Sequence, residues 1–369
     1  MRASSSTRTS APVRSASATL KDVADLAGVS LATASRVLNG SERVVGEALR
    51  EKVLAVADQV GYVSNGPAQA LARAATDIVG LVIHDVDDPY FSAIASGAMA
   101  VARANGLLLL VTSTSRDPEL EVEYINRLRA QRARAIVLAG SGFADRDQSG
   151  RVARAVDSYL GTGGRVVGIG RHGMSGDTVA PAHRAGAKEA ARHLRALGHR
   201  SVGIACGPLG LTTVRERLTG FSSEMGRLGA PIPDDAIEEG GFSREGGAAA
   251  AAALLERRPQ LTAIFAANDL MATGAISYLR ESGRRVPDDV SIVGYDDIEL
   301  ARDITPALTT VRLPLREIGE RAMDLVLGSP GPPRTVRVAA ELIERDSTAR
   351  PPSGRKSAAR APRRAKRRR

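Results

Sequence analysis

The stretch "TLKDVADLAGVSLATASRVLNG", residues Thr19–Gly40, reads as two short amphipathic helices separated by Gly-Val-Ser. Thr19 followed three residues later by Asp22 predicts a capping box at the start of the first helix. Gly28 predicts the end of that helix, because glycine adopts a positive φ angle at little cost, and Ser30 predicts the cap of the second. The pattern therefore indicates a tight helix pair, either a helix-turn-helix or an ordinary helical hairpin.

A third helix is expected from Glu47 to Val60, and with the first two it would enclose a small apolar core. The predicted core positions are Val23, Leu26, Ala27, Val29, Ala34, Val37, Leu38, Leu49, Val53, Leu54 and Ala57. Such a bundle leaves one side of the second helix, residues 31–38, exposed to solvent. The N-terminal end of that helix is the part that enters the DNA major groove in helix-turn-helix proteins.

The exposed side of the second helix carries residue types that suit DNA. Arg36 can donate two hydrogen bonds to a guanine, and Leu31 and Ala32 can contact a thymine methyl group. Hydroxyl and amide side chains that suit phosphate oxygens are supplied by Thr33, Ser35 and Asn39, and Thr19 is a further candidate contact. If the pair is a helix-turn-helix, these residues are its candidate DNA contacts.

The composition predicts more than one domain and a reducing environment. The chain has 369 residues, of which 43% are hydrophobic, and this is ample for a large buried core. Its single cysteine, Cys206, excludes an intramolecular disulfide and a four-cysteine zinc site. The apolar run "SVGIAC" around it indicates a buried, unreactive thiol. No apolar run approaches the roughly 20 residues that cross a bilayer, so a cytoplasmic location without a membrane partner is expected.

The net charge of +10 is concentrated at the C-terminal end of the chain. Residues 347–369 contain ten Lys or Arg and no acid, which leaves residues 1–346 with no net charge. This Pro/Ala/Arg-rich segment and the Ser/Arg-rich residues 1–18 cannot bury a core, and they are predicted to be a disordered tail and a disordered leader. The tail either adds a salt-sensitive attraction to nucleic acid or only promotes solubility.

Seven apolar runs alternate with helical stretches after residue 77. They are "IVGLVI" (78–83), "LLLLVT" (107–112), "AIVLAG" (135–140), "RVVGIG" (165–170), "SVGIAC" (201–206), "LTAIFAA" (261–267) and "VSIVGY" (290–295). Continuous apolar strands separated by helices predict parallel sheets covered on both faces. Because seven such units exceed one typical sheet, we expect an α/β fold with two packed subdomains behind the all-α head.

The head is similar in sequence to that of a known family. The segments "LKDVADLAGVSLATASRVLNG" and "REKVLAVADQVGYVSNGPAQALAR" resemble the head of the lactose/galactose repressor (LacI/GalR) family of bacterial transcription regulators. The family pattern is roughly K-D-V-A-x-x-A-G-V-S-x-x-T-V-S-R-V-L-N-G, from which only Ala34 departs by replacing a valine. The resemblance continues to about Arg345, and it favours the helix-turn-helix over the plain hairpin.

The resemblance also gives a role to the segment "NGPAQALAR". The implied boundaries are 19–62 for the helix-turn-helix domain, 63–77 for a hinge and 78–346 for an effector-binding and dimerisation core. In the family the hinge is a short helix that folds when a dimer binds its operator, and a leucine of each hinge enters the minor groove. Here that leucine is Leu71, and Asn65 and Ala68 are further candidate contacts. The alternative is that Leu71 is a linker residue packed against the core.

The rest of the chain resembles the periplasmic-binding-protein-like (type I) effector domain of the same family, through motifs such as "GPLGLTTVRERLTGF" (207–221). In that domain a cleft between two subdomains binds a small molecule. The effector-binding residues that the resemblance implies are Tyr90, Phe91, Arg171, Arg217, Phe242, Asn268 and Asp296. Guanidinium, amide and carboxylate groups suit hydroxyls, and aromatic rings suit flat apolar faces. For each residue the alternative is a structural hydrogen bond or core packing.

One segment departs from the family pattern. Pro181-Ala182 stand where the family commonly has Asp-Asn, so two polar ligands are missing. Either the effector has fewer hydroxyls than a hexose, or it is held from the other side of the cleft. On that side "IHDVDDPYF" places Asp85, Asp87 and Asp88, for which a solvated loop is the alternative.

Together these features predict a transcription regulator that binds a double-stranded DNA operator as a homodimer or as a tetramer, under the control of a sugar-like or nucleoside-like effector. No enzyme, cofactor or metal site is expected: "GIGRHG" (168–173) matches a dinucleotide fingerprint, but no helix opens within it. The rival interpretation is a solute-binding protein without DNA activity. The operator sequence and the direction of the effector's action stay open.

Overall fold

The structure, a computed structural model, describes residues 18–39, 45–62 and 76–352. Its contacts divide the chain into two units, Met1–Thr76 and Asp77–Arg369, here called the head and the core. The predicted hinge falls almost entirely outside the described residues, as do most of the predicted leader and tail. Within the described parts of the chain, no helix is long and apolar enough to cross a membrane.

The head contains the three predicted helices. They are α1 (Leu20–Ala27), α2 (Leu31–Asn39) and α3 (Glu47–Gln59). The predicted capping box is confirmed, since the Asp22 amide donates to Thr19 Oγ1 over 3.3 Å and the Thr19 amide donates to the Asp22 carboxylate over 2.7 Å. Gly28 ends α1 with a φ of 66°, and Ser30 Oγ accepts from the Thr33 amide at the start of α2. The local signals therefore place both ends of the turn correctly.

The core of the head is narrower than the sequence predicts. Its buried side chains are Val23, Ala24, Ala27, Ala34, Val37, Val53 and Ala57. The predicted core residues Leu26, Leu49 and Leu54 are instead exposed, Leu26 by 62%. In α1 the buried face is formed by Val23, Ala24 and Ala27, and in α3 by Val53 and Ala57, so the three leucines lie outside the faces that pack together. Ala34, which replaces the family's valine, is fully buried in this small core.

The first subdomain of the core is built on a six-stranded parallel sheet. Its strands are β1 (Ile78–Ile83), β2 (Leu108–Ser113), β3 (Ala135–Ala139), β4 (Arg165–Ile169), β5 (Asp177–Pro181) and β11 (Thr335–Val338), in the order β11-β5-β4-β3-β1-β2. The helices that pack on it are α4 (Pro89–Ala104), α5 (Pro118–Ala130), α6 (Arg146–Leu160) and α12 (Leu315–Leu327). The strand after "GIGRHG" is β5, so this segment continues into the sheet rather than into a helix.

The second subdomain repeats this plan with one antiparallel pair. Its strands are β6 (Val202–Cys206), β7 (Ile237–Glu239), β8 (Ala263–Ala266), β9 (Ser291–Asp296), β10 (Thr309–Arg312) and β12 (Glu341–Ile343), in the order β12-β10-β9-β8-β6-β7 with β12 antiparallel to β10. Its helices are α7 (His183–Leu197), α8 (Thr212–Arg227), α9 (Arg244–Arg257), α10 (Asp269–Glu281) and α11 (Leu300–Asp303). The chain passes between the subdomains after β5, after β10 and after β11.

This architecture confirms the predicted fold class of an all-α head and two interleaved α/β subdomains. Each of the seven apolar runs forms a strand, and Cys206 is buried at the end of β6. Burial raises the pKa of the Cys206 thiol to about 11, which agrees with an unreactive side chain. Five strands lack an apolar run: β7, β11 and β12 have three or four residues and lie at sheet edges, whereas β5 and β10 lie inside their sheets.

The packed chain extends beyond the predicted end of the core at residue 346. Ser347 is fully buried: its hydroxyl donates to the Ile292 carbonyl over 2.6 Å and accepts from the Thr309 amide over 2.8 Å. The Ala349 amide donates to Ser291 Oγ over 3.0 Å. The tail prediction was therefore wrong for residues 347–349, because a short run of small polar residues can bond to strands that it meets only in the folded protein.

Gly97 of α4 and Gly319 of α12 allow these two helices to touch, and replacing one of them by a larger residue should destabilise the fold. A Cβ atom on Gly97 would lie 2.0 Å from the Arg316 carbonyl oxygen, so we expect Gly97→Ala to lower the free energy of unfolding by at least about 1–3 kcal/mol. Urea unfolding followed by circular dichroism measures this. The control is Gly150→Ala in α6, where only Arg154 Nη1 lies near, at 3.5 Å, and a gain of about 0.5–1 kcal/mol is expected. Equal effects of the two changes would refute the close-packing argument.

Candidate functional site

Helix α2 presents exposed side chains both at its start and in its last turn. Leu31 is 52% exposed, and Ala32 and, in the last turn, Arg36 are exposed as well. Within the described residues, the Arg36 guanidinium makes no hydrogen bond or ion pair. An uncommitted guanidinium flanked by small apolar groups is the combination that can read base edges.

The other predicted DNA contacts fall into two groups. The hydroxyls of Thr19 and Thr33 already bond within their own helix caps, to the Asp22 carboxylate and to Ser30 Oγ at 2.7 and 2.8 Å, and Ser35 is only partly exposed. The remaining predicted contacts lie outside the described residues: the Asn39 side chain, Asn65, Ala68 and Leu71. The exposed side chains of Leu31, Ala32 and Arg36 are therefore the part of the predicted DNA surface that the structure describes as available.

A cavity lies between the two subdomains of the core, at the carboxyl ends of their parallel strands. It brings together six of the seven predicted effector residues: Tyr90, Phe91, Arg217, Phe242, Asn268 and Asp296. Tyr90 and Phe91 come from the start of α4 in the first subdomain, and the other four belong to the second. The ends of parallel strands are where ligands bind in open α/β folds, so the position agrees with the predicted cleft.

Arg171 is the predicted effector residue that does not reach this cavity. It is exposed and lines a second concave surface together with Arg184 and Arg215. Its backbone carbonyl accepts a hydrogen bond from Thr212 Oγ1 over 2.8 Å. This bond places Arg171 beside Thr212, whereas the next residue along α8, Thr213, lines the cavity. The structure thus assigns Arg171 to a different surface.

Arg217 is the buried cation of the cavity. Its side chain, 3% exposed, donates to Asp296 Oδ1 over 2.7 Å and to the Ala267 carbonyl oxygen. The guanidinium also lies 3.9 Å from the centre of the Tyr295 ring, a cation–π contact. His183 Nδ1 lies 3.4 Å from Arg217 Nε, and burial together with Arg217 holds the pKa of His183 well below its ordinary value. His183 is therefore neutral and can accept from the guanidinium.

The carboxylate of Asp296 combines burial, an ion pair and backbone strain. Burial raises its pKa to about 7, although the neighbouring Arg217 opposes the shift. Its φ angle of 108° lies in the region that favours glycine, and such conformations persist only where the surroundings enforce them. The side chain of the next residue, Asp297, is inaccessible and pairs with Arg312 at 2.7 Å and Arg345 at 2.6 Å. These two ion pairs hold Asp296 in its strained position.

Helix caps orient other cavity residues. Asn268 caps α10 by accepting from the Met271 amide through Oδ1, so its side-chain NH₂ group stays available at the cavity. Asp88 caps α4 by accepting from the Tyr90 amide over 3.0 Å, and burial raises the pKa of Asp88. The Tyr90 and Phe91 rings meet edge to face, with centroids 4.9 Å apart. The site therefore offers polar partners for hydroxyl groups together with aromatic faces.

Several cavity residues were not predicted, and strand ends were the signal that could have found them. The additional residues that line the cavity are His84, Arg116, Gly140, Ser141, Leu211 and Thr213. His84, Arg116 and Ser141 follow β1, β2 and β3 within three residues, where side chains of parallel sheets converge. Pro181 and Ala182 have no polar side chain to offer. The residue that follows them, His183, does reach Arg217.

The acidic loop after β1 contributes one of its three carboxyl groups to the cavity. Asp88 lines it. Asp85 instead pairs with Arg116 at 3.2 Å and accepts from the Asp87 amide over 3.1 Å, so these two carboxylates belong to the loop itself.

Comparison with known proteins decides the family. Residues 19–65 match the family described as bacterial regulatory proteins, lacI family, and residues 191–348 match the periplasmic binding protein-like domain. The chain is 34% identical over 340 residues to the HTH-type transcriptional regulator GalR of Salmonella typhimurium, a match that covers 90% of this chain and 97% of that protein. The chain belongs to the LacI family. The predicted family is thereby confirmed.

Two further relatives support the membership of this LacI-family protein. The HTH-type transcriptional repressor PurR of Vibrio parahaemolyticus is 32% identical over 312 residues, covering 84% of this chain and 91% of that protein. The crystal structure of the Lac repressor dimer bound to operator and the anti-inducer ONPF superposes with a TM-score of 0.77 at 29% identity, over 90% of this chain and 99% of that one. These relatives are named as regulators and repressors, not as enzymes.

The raised pKa of Asp296 makes the stability of this LacI-family protein depend on pH. Because the folded protein holds the Asp296 proton up to about pH 7 and the unfolded chain loses it near 3.8, the free energy of unfolding falls as the pH rises through this window. We expect the stability advantage of wild type over Asp296→Asn to shrink by roughly 2–3 kcal/mol between pH 5 and pH 8, measured by urea unfolding.

The control for this measurement is Asp289→Asn. Backbone hydrogen bonding to Arg285 lowers the pKa of Asp289, so that carboxylate is ionised at both pH values and its contribution should not change. If the stability advantage of wild type over Asp296→Asn grew with pH, the attraction of Arg217 would outweigh burial in setting the pKa of Asp296. The interpretation of the site would then be wrong.

Proposed function

We propose that this LacI-family protein is a cytoplasmic, nucleoid-associated transcriptional repressor that binds a palindromic operator as a homodimer under the control of a small-molecule effector. The observation that carries the proposal is the exposed surface of Leu31, Ala32 and Arg36 on α2, in a head that matches the family's DNA-binding region. Two heads related by the symmetry of a dimer would contact half-sites about one helical turn apart. The rival interpretation, a solute-binding protein without DNA activity, does not account for the presence of this head.

The chemistry of the cavity favours a sugar-like or nucleoside-like effector. Arg217, Asp296 and Asn268 offer donors and acceptors for hydroxyl groups, and Tyr90 and Phe242 offer flat faces for a ring. The space left inside is about 40 Å³, which holds a few water molecules. Entry of a sugar-sized molecule therefore requires the two subdomains to move apart. Such a movement couples occupancy of the cavity to the geometry of the whole core.

The edge of the first sheet supports the homodimer. Strand β2 lies at that edge, and its Leu108 and Leu110 side chains are 63% and 43% exposed, with Met99 of α4 exposed as well. An apolar edge strand left open to water is prone to pair with another chain, and a second copy of the same surface would cover it in a two-fold symmetric dimer.

Substitution of Arg36 tests DNA reading directly. An operator is first selected from random duplexes with the wild-type protein. Arg36→Ala should then weaken binding to this operator by about 5–150-fold, since a lost bidentate contact to a base costs about 1–3 kcal/mol, and it should relax base preference at one position without changing effector binding. Fluorescence anisotropy measures both.

Arg50→Ala is the matched control, because Arg50 is an exposed arginine on α3 rather than on α2. Unchanged operator affinity of the Arg36 variant would remove Arg36 from the DNA surface. Failure of the wild-type protein to select any duplex at low salt would instead favour the solute-binding interpretation.

Charges placed on the β2 edge test the dimer. Leu108→Glu combined with Leu110→Glu should convert the protein to a monomer in sedimentation velocity, because two carboxylates would be buried without partners at the interface. Operator affinity should fall with the loss of the dimer. Val86→Glu is the control, because Val86 is exposed but lies in the loop after β1 rather than in β2. This variant should sediment like wild type. A double variant that remains dimeric would place the interface elsewhere.

A further inference from the structure

A second concave surface lies beside the effector cavity, with no role in the function proposed above. It is lined by Arg171, Arg184, Arg215, Glu216, Ser149 and Thr219, among others, and is called here the arginine groove. Its volume is about 470 Å³, against about 40 Å³ for the cavity. The groove therefore already has room for a small molecule, without any movement of the subdomains.

The groove carries an excess of positive charge. Three guanidinium groups face one carboxylate, Glu216, and burial raises the pKa of that carboxyl group. Within the described residues, the side chains of Arg171 and Arg184 make no hydrogen bond or ion pair, and Arg215 donates only to the neutral Leu209 carbonyl. An adjoining hollow that shares Arg171 and Glu216 adds a further guanidinium, Arg337. Such like charges repel one another unless an anion is present.

The arginines come from both subdomains. Arg171 follows β4 of the first subdomain, whereas Arg184 and Arg215 lie on α7 and α8 of the second. The two sides meet where Thr212 Oγ1 donates to the Arg171 carbonyl over 2.8 Å. An anion held by Arg171 on one side and by Arg184 or Arg215 on the other would bridge the subdomains close to the cavity.

We infer that the arginine groove is a second ligand site, which binds a phosphate dianion, either inorganic phosphate or the phosphate group of a small phosphomonoester. Guanidinium groups bind phosphate with paired hydrogen bonds, and the hydroxyls of Ser149 and Thr219 add neutral donors at the same surface. Because the bound anion bridges the two subdomains, it stabilises their present arrangement and so resists opening of the cavity. The binding itself does not rest on the proposed DNA function.

Thermal unfolding of the full-length protein without DNA tests the site. Inorganic phosphate is titrated at constant pH, with sodium chloride at equal ionic strength as the reference. The unfolding temperature of wild type should rise saturably, by about 2–5 °C at ten times the dissociation constant. A parallel titration with glycerol 3-phosphate separates the two ligand sources: tighter binding than that of inorganic phosphate identifies a phosphomonoester site.

Two variants locate the binding. Arg171→Gln combined with Arg184→Gln should raise the dissociation constant for phosphate at least tenfold, and should not lower the unfolding temperature without phosphate, since repulsion is relieved. Arg280→Gln, an exposed arginine of α10 outside the groove, should behave like wild type. A wild-type protein that responds equally to phosphate and chloride overturns the inference, and so does a double variant that keeps the full phosphate response.

Discussion

The buried guanidinium of Arg217 is the constraint around which the effector cavity is built. A cation removed from water is costly unless its donors find acceptors. Here the acceptors come from different parts of the second subdomain: the Asp296 carboxylate ends β9, the Ala267 carbonyl follows β8, and the Tyr295 ring lies beneath the guanidinium. All of these elements must meet at one charge. A ligand that competes for Asp296 therefore acts on the packing of the subdomain as well as on its own contacts.

The strain at Asp296 connects this charge to the C-terminal part of the chain. Asp296 and Asp297 both have positive φ angles, a conformation that costs about 1–3 kcal/mol for each residue. The ion pairs of Asp297 with Arg312 and Arg345 offset that cost. Since Arg345 follows β12, the packing of residues 341–349 against β9 and β10 helps to orient the Asp296 carboxylate at the cavity.

Strong local signals in the sequence were sufficient to predict the helices and strands, whereas the burial and the partners of individual side chains depended on tertiary contacts. Apolar runs, the capping box at Thr19 and the glycine at the end of α1 each act within a few residues, so the strands and the helix pair could be predicted. The exposure of Leu26 could not, because it depends on which face of α1 packs against the other helices of the head. Ser347 finds its partners about 40 and 55 residues earlier in the chain. For Arg171, the family resemblance identified the correct sheet edge, after β4, but not the surface that the residue lines.

The interleaving of the two subdomains has a consequence for the chain as a genetic unit. The first sheet needs β11, which comes after nearly the whole of the second subdomain, and the second sheet needs β12, which comes after β11. Neither half is encoded as one continuous segment. A premature stop anywhere before residue 338 removes an edge strand from both sheets. Exchange of one continuous segment by recombination cannot replace one subdomain alone, so the two subdomains are inherited together.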